Sequence, residues 1–128
     1  MGAKVMPKQN QKILIIEDHP VTSQMIANIL KMEGINVMVA ADGKTGIAKA
    51  KAESPNLILL DIMMPEMDGF EVCAKLKSDP ETAKTPIVIV SVCDSGDSIK
   101  KGKDLGADGY IAKPFDPEEL VKIIRKYI

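Results

Sequence analysis

Residues 56–61 read NLILLD, four consecutive apolar side chains closed by a carboxylate. So short and so continuously apolar a run suits a strand covered on both faces, as in a parallel sheet held between two layers of helix. KILIIE at 12–17 and TPIVIVSV at 85–92 share that character, and these three stretches are expected to be the central strands. INVMVA (35–40) and ADGYIA (107–112) are the remaining strand candidates. Helical spacing falls near 20–33, 43–53, 66–78, 96–106 and 116–127. Strand then helix, repeated five times over short connections, predicts a doubly wound α/β fold with a five-stranded parallel sheet and five helices.

The last helix carries the clearest local signals. Asp116 is placed to cap, Pro117 fits the first turn, and Glu119 completes a capping box. Leu120, Ile123, Ile124 and Tyr127 share one apolar face that must pack on the sheet. The fourth helix is the weakest. SGDSIKKGKDLGA (95–107) offers only Ile99 and Leu105 as sizeable apolar residues and carries Gly96, Gly102 and Gly106. Each interior Gly costs about 0.5–1 kcal/mol against Ala. The segment is therefore expected to be the least stable helix and a moving part, unless its glycines serve close packing on the sheet.

With 128 residues, 45% of them apolar, the chain has one domain's worth of core, and it buries roughly two-thirds of the surface that the unfolded chain exposes. Residues 1–11 are expected to form an N-terminal tail and 12–128 the domain. Seventeen basic and eighteen acidic side chains leave a net charge of −1, which disfavours direct nucleic-acid binding through bulk charge. No apolar run approaches a membrane span, and MGAKVMPKQN lacks the core of a secretory signal, so a cytoplasmic protein with no membrane partner is expected. Cys73 and Cys93 form no CxxC and cannot complete a zinc site with the single His19. Both are expected to be free thiols.

In an open parallel sheet, ligands bind beyond the carboxyl ends of the strands. The residues closing those strands are Glu17 and Asp18 after the first, Asp61 after the third, Ser91 near the end of the fourth and Lys113 just after the fifth. Taken singly, each is an ordinary turn or surface residue; converging on one edge, they define a site. Three neighbouring carboxylates repel one another unless a cation shares them. Oxygen-only ligands favour a hard ion such as Mg2+, which keeps waters and leaves room for a phosphate oxygen. Lys113 and Ser91 add a positive charge and a hydrogen-bond donor suited to a phosphoryl group carried on one of the acids.

These motifs resemble the receiver domain of two-component response regulators. The resemblance rests on Glu17-Asp18, on DIMMPEMDG (61–69), on Ser91 and on YIAKPF (110–115), and it extends from about Ile13 to Ile128. It implies a flavodoxin-like sheet of order 2-1-3-4-5 and a phosphorylation-activated signalling switch. That switch is no enzyme beyond catalysing its own phosphorylation and dephosphorylation. By the same resemblance, Asp61 accepts a phosphoryl group from a sensor histidine kinase or a phosphotransfer protein. Glu17, Asp18, Asp61 and the backbone carbonyl of Met63 hold Mg2+, Lys113 pairs with phosphoryl oxygens, Ser91 swings toward them, Tyr110 is the coupled aromatic switch and Pro114 follows a cis bond. A downstream effector would meet the surface of the fourth helix, fifth strand and fifth helix, with the chain a monomer or weak dimer.

Two features depart from the family's usual pattern. Val92 stands where Ala or Gly is commoner and is expected to narrow access to Asp61, while Met63 and Cys93 argue for slow self-dephosphorylation. Two rivals stand beside the switch. A magnesium-dependent phosphohydrolase would need a second Asp at the position Met63 occupies, and a phosphorylation-silent interaction module would not need the complete acid, Ser91 and Lys113 set. GKT (43–45) lacks the first Gly of a phosphate-binding loop, position 38 being Met, and nucleotide binding is not expected. His19 reads as solvent-facing rather than near a metal, and Lys100, Lys101 and Lys103 as a solvated face.

Overall fold

A computed structural model describes residues 11–92 and 95–128 of the chain. The expected tail lies almost wholly outside them, and so does Cys93. Strand and helix alternate throughout: β1 (Lys12–Ile16), α1 (Pro20–Met32), β2 (Asn36–Ala40), α2 (Gly43–Glu53), β3 (Leu57–Leu60), α3 (Gly69–Ser78), β4 (Ile87–Ser91), α4 (Gly96–Asp104), β5 (Gly109–Ala112) and α5 (Pro117–Ile124). The strands form one parallel sheet in the order β2-β1-β3-β4-β5. The three continuously apolar runs are thus the three central strands, and β3 and β4 are buried at every residue.

Side-chain alternation along each strand splits the core into two layers. Ile13, Ile15, Leu57, Leu59, Val88 and Val90 face α1 and α5, where Ile26, Leu30, Leu120 and Ile124 meet them. Leu14, Ile16, Ile58, Leu60 and Ile87 face α2 and α3, packing on Ala50, Val72, Cys73 and Leu76. Cys73 is a buried free thiol whose Sγ lies 3.7 Å from the Leu105 carbonyl oxygen.

Three local expectations need correction. α3 begins at Gly69, not near 66, because Glu66 adopts a left-handed φ of 66° and the Asp68 carboxylate caps the helix by accepting the Glu71 N–H at 2.9 Å. The capping box at the start of α5 does not form. Asp116 is extended there and its side chain makes no cap hydrogen bond, so Pro117 alone sets the first turn. The helix also stops at Ile124, short of 127. Tyr127 follows it, its hydroxyl donating to the Asp108 carbonyl at 2.9 Å.

In α4 the glycine question resolves at Gly102, the helix's one buried residue. A Cβ there would stand 2.7 Å from Ile89 Cδ1, so the missing side chain is what lets the helix approach β4. GKT opens α2: Asp42 caps it by accepting from the Thr45 N–H at 2.7 Å and from its hydroxyl at 3.1 Å. The lysine run is divided between tasks, Lys100 pairing with Asp104 at 2.8 Å and Lys101 standing 4.5 Å above the Phe70 ring.

Candidate functional site

Parallel register delivers the site residues to one edge of the sheet. Ile16 pairs with Leu60 and Ser91 with Ala112, so the chain leaves β1, β3, β4 and β5 at a common level. The Asp61 N–H donates to the Ile16 carbonyl at 3.0 Å and the Lys113 N–H to the Ser91 carbonyl at 2.9 Å, which carries the pairing one residue past the strands. Gly69 lets the Asp61 loop close down on α3, since a Cβ at that position would collide with the Asp61 carbonyl oxygen and Ile62 Cα. The Lys113–Pro114 peptide is cis, as the resemblance implies.

Glu17, Asp18, His19 and Asp61 each place a ligand atom within 4.8 Å of the others. Glu17 is 3% exposed and Asp61 5%. Lys113 reaches across from the end of β5, its Nζ donating to Glu17 Oε1 at 2.7 Å and lying 3.6 Å from Asp61 Oδ1. Burial alone would raise the Glu17 carboxyl, but the Lys113 hydrogen bond, helped by the His19 N–H, reverses this and holds it below its ordinary value. Asp61 goes the other way. Burial first, then the Glu17 charge, push it up to about 6, although Lys113 and a hydrogen bond from the Met63 backbone oppose them.

Asp18 Oδ1 is buried and, among the described residues, accepts no hydrogen bond. His19 Nδ1 lies 3.2 Å from it without hydrogen-bond geometry. A buried acceptor without a donor is costly in a metal-free pocket. Together with the all-carboxylate set of Glu17, Asp18 and Asp61, that oxygen fits a hard divalent ion. Ser91 is fully buried at the end of β4, whereas Tyr110 is half-buried and lines a cleft of about 210 Å³ with Ile99, Lys103, Ala107, Asp108 and Gly109.

The expected site residues therefore gather at one edge, but two relations among them were not read from the sequence. Lys113 is engaged with Glu17 as well as facing Asp61. His19, although 68% exposed, turns back so that Nδ1 also lies 3.3 Å from Glu17 Oε2, which amends its reading as simply solvent-facing. The only sequence signal for this was its place between the acid pair and Pro20.

A 2-1-3-4-5 sheet carrying three carboxylates and a lysine at its carboxyl edge defines the receiver class of signalling domains. The chain belongs to the response regulator receiver domain family, whose pattern it matches over residues 13–125. It is accordingly a two-component signalling module and not an enzyme. It is 41% identical over 114 residues to the DNA-binding dual master transcriptional regulator RpaA of Synechocystis, covering 89% of this chain and 47% of that protein. The chain spans about half the length of most of the first curated relatives it matches. Among solved structures, Vibrio cholerae chemotaxis protein CheY4 superposes with a TM-score of 0.88 at 33% identity, over 92% of this chain and 98% of that one. The receiver domain of sensor histidine kinase PA1611 from Pseudomonas aeruginosa, with a magnesium ion coordinated in its active-site cleft, gives 0.85 at 27% identity over 91% and 96%. Among the described residues no helix is long and apolar enough to cross a membrane.

Proposed function

We propose that residues 12–128 form a phosphorylation-dependent switch in which Asp61 accepts a phosphoryl group from the phosphohistidine of a sensor kinase or phosphotransfer protein. The carrying observation is a buried Asp61 carboxylate with two further carboxylates within 4.8 Å and the Lys113 ammonium at 3.6 Å. An Asp61 oxygen attacks phosphorus as the phosphorus–nitrogen bond breaks, and the imidazole leaves with the bonding pair. A carboxyl held near 6 is ionised at neutral pH yet more basic than an ordinary Asp, which suits a nucleophile. Glu17, Asp18, Asp61 and the Met63 carbonyl would hold Mg2+, which when bound supplies positive charge against the phosphoryl oxygens.

Lys113 and Ser91 are the groups that read the modification. Two new charge-assisted hydrogen bonds at about 1.5–3 kcal/mol each approach the roughly 5.5 kcal/mol that turns a 1:99 equilibrium into 99:1. The resting pair between Lys113 and Glu17 lowers that sum, because Lys113 would exchange one carboxylate partner for a phosphoryl oxygen rather than gain a bond. Tyr110 follows Ser91 in the switch, and an effector meets the surface of α4, β5 and α5. We place the domain in the cytoplasm, where a kinase would present its phosphohistidine.

The test is intact-mass analysis after incubation with a small phosphodonor, with and without Mg2+, alongside transfer from a phosphorylated histidine kinase. One added phosphoryl group that requires Mg2+ is expected. No addition from either donor would leave the chain a phosphorylation-silent interaction module.

A further inference from the structure

We propose that His19 is an additional metal ligand, and that it shifts the pocket's preference from Mg2+ toward a borderline divalent transition ion. This rests on the carboxylate pocket being a cation site, as argued above. The observation behind it is where the imidazole goes. His19 stands at the N-cap of α1, a position whose side chain ordinarily accepts from the helix's own N–H groups, yet it makes no such bond. Its backbone, extended at φ −86° and ψ 112°, turns the ring to the acids, and its N–H donates to Glu17 Oε2 at 3.2 Å. Nδ1 comes within 3.3 Å of Glu17 Oε2 and 3.2 Å of Asp18 Oδ1, the buried oxygen that accepts no hydrogen bond among the described residues. One nitrogen and three carboxylate oxygens thus fall within a single ion's reach.

Ligand chemistry gives the consequence. Carboxylates, carbonyls and water suit Mg2+, whereas an imidazole nitrogen adds affinity for first-row transition ions and little for magnesium. The ring is largely exposed, so it can adjust to a cation without disturbing the core, while the Asp61 carboxylate stays buried. Magnesium would still bind through the acids. His19 would determine which ion wins when both are present.

The metal-free full chain should be titrated calorimetrically with Mg2+, Mn2+ and Co2+ as the wild type, as His19→Gln and as Asp61→Asn. Losing a group that merely hydrogen-bonds a metal ligand costs about tenfold or more in metal affinity, so losing a direct ligand is expected to lower Co2+ affinity at least about tenfold. Mg2+ affinity should stay within about twofold, and pulsed electron paramagnetic resonance of the Mn2+ complex should show a nitrogen coupling that His19→Gln removes. Mg2+ binding that depends on Asp61, with the Co2+ to Mg2+ ratio and the Mn2+ spectrum unchanged in His19→Gln, would overturn this proposal alone. A wild type that binds none of the three ions would overturn the pocket reading with it.

Discussion

Replacing Asp61 by Asn is expected to stabilise the metal-free chain, because the native carboxylate is buried beside Glu17 at a cost that the amide avoids. The folded-state carboxyl stands near 6 against an ordinary 3.8, and at 1.36 kcal/mol per unit this sets a ceiling of about 3 kcal/mol at pH 8. Lys113 loses a neighbour at 3.6 Å and the buried amide needs hydrogen bonds of its own, so a net gain of about 1–2 kcal/mol is expected. With a urea slope of roughly 1.5 kcal/mol/M, the unfolding midpoint should rise by about 1 M.

The sign of the pH dependence follows from a folded-state value raised above the unfolded one. Below 3.8 both states are protonated and Asp61 costs nothing; the penalty grows as pH rises and is complete above about 6. Between pH 8 and pH 5 the penalty falls by about half, or about 1.4 kcal/mol, so the net advantage of Asn should nearly vanish at pH 5. Glu17 carries the opposite dependence, its contribution being lost as pH falls, and it is present in both proteins. Mg2+ at a hundred times its dissociation constant should stabilise the wild type by about 2.7 kcal/mol, more than the expected gain of the Asn variant, and so reverse the order of the two proteins. Urea titrations at the two pH values, with and without Mg2+, decide the matter. An Asn variant no more stable than wild type at pH 8, or an advantage independent of pH, would refute the reasoning.

Other substitutions probe the scaffold and the approach to the site. Gly69→Ala drives a methyl into the Asp61 backbone, and should both lower stability by at least about 1–3 kcal/mol and abolish phosphoryl labelling. Gly102→Ala gains about 1 kcal/mol of helix propensity but crowds Ile89; a net loss of up to about 2 kcal/mol in urea unfolding is expected, whereas a net gain would mean that the glycine only weakens α4. Val92, 58% exposed just beyond β4, is predicted to obstruct small donors, so Val92→Ala should raise the labelling rate several-fold. An unchanged rate would remove Val92 from the account.

The sheet was legible because its signal is local. LILL and KILII cannot be half-exposed strands, so their central place follows from composition alone. Convergence of Glu17, Asp18, Asp61, Ser91 and Lys113 followed just as directly, since each closes a strand and parallel strands end together. The failures have local causes too. Helical spacing reaches back to Glu66, but the cap lies at Asp68, whose carboxylate accepts from the Glu71 N–H three residues on. At α5 the residue types of a capping box were present, yet the Asp116 side chain makes no cap bond, showing that composition permits such a box without enforcing it. The Lys113 pairing with Glu17 spans ninety-six positions and depends on a side-chain rotamer, which no pattern of spacing encodes. His19 is similar, its direction being set by backbone angles at the head of α1.

On the proposed function Asp61, and no other carboxylate of the pocket, carries the phosphoryl group. Borohydride reduces an aspartyl phosphate to homoserine, so the most direct measurement is peptide mass mapping of the reduced protein after exposure to a phosphodonor and Mg2+. Homoserine is expected at position 61 alone, and none when Mg2+ is withheld. Conversion at Glu17 or Asp18, or labelling that persists in Asp61→Asn, would contradict it.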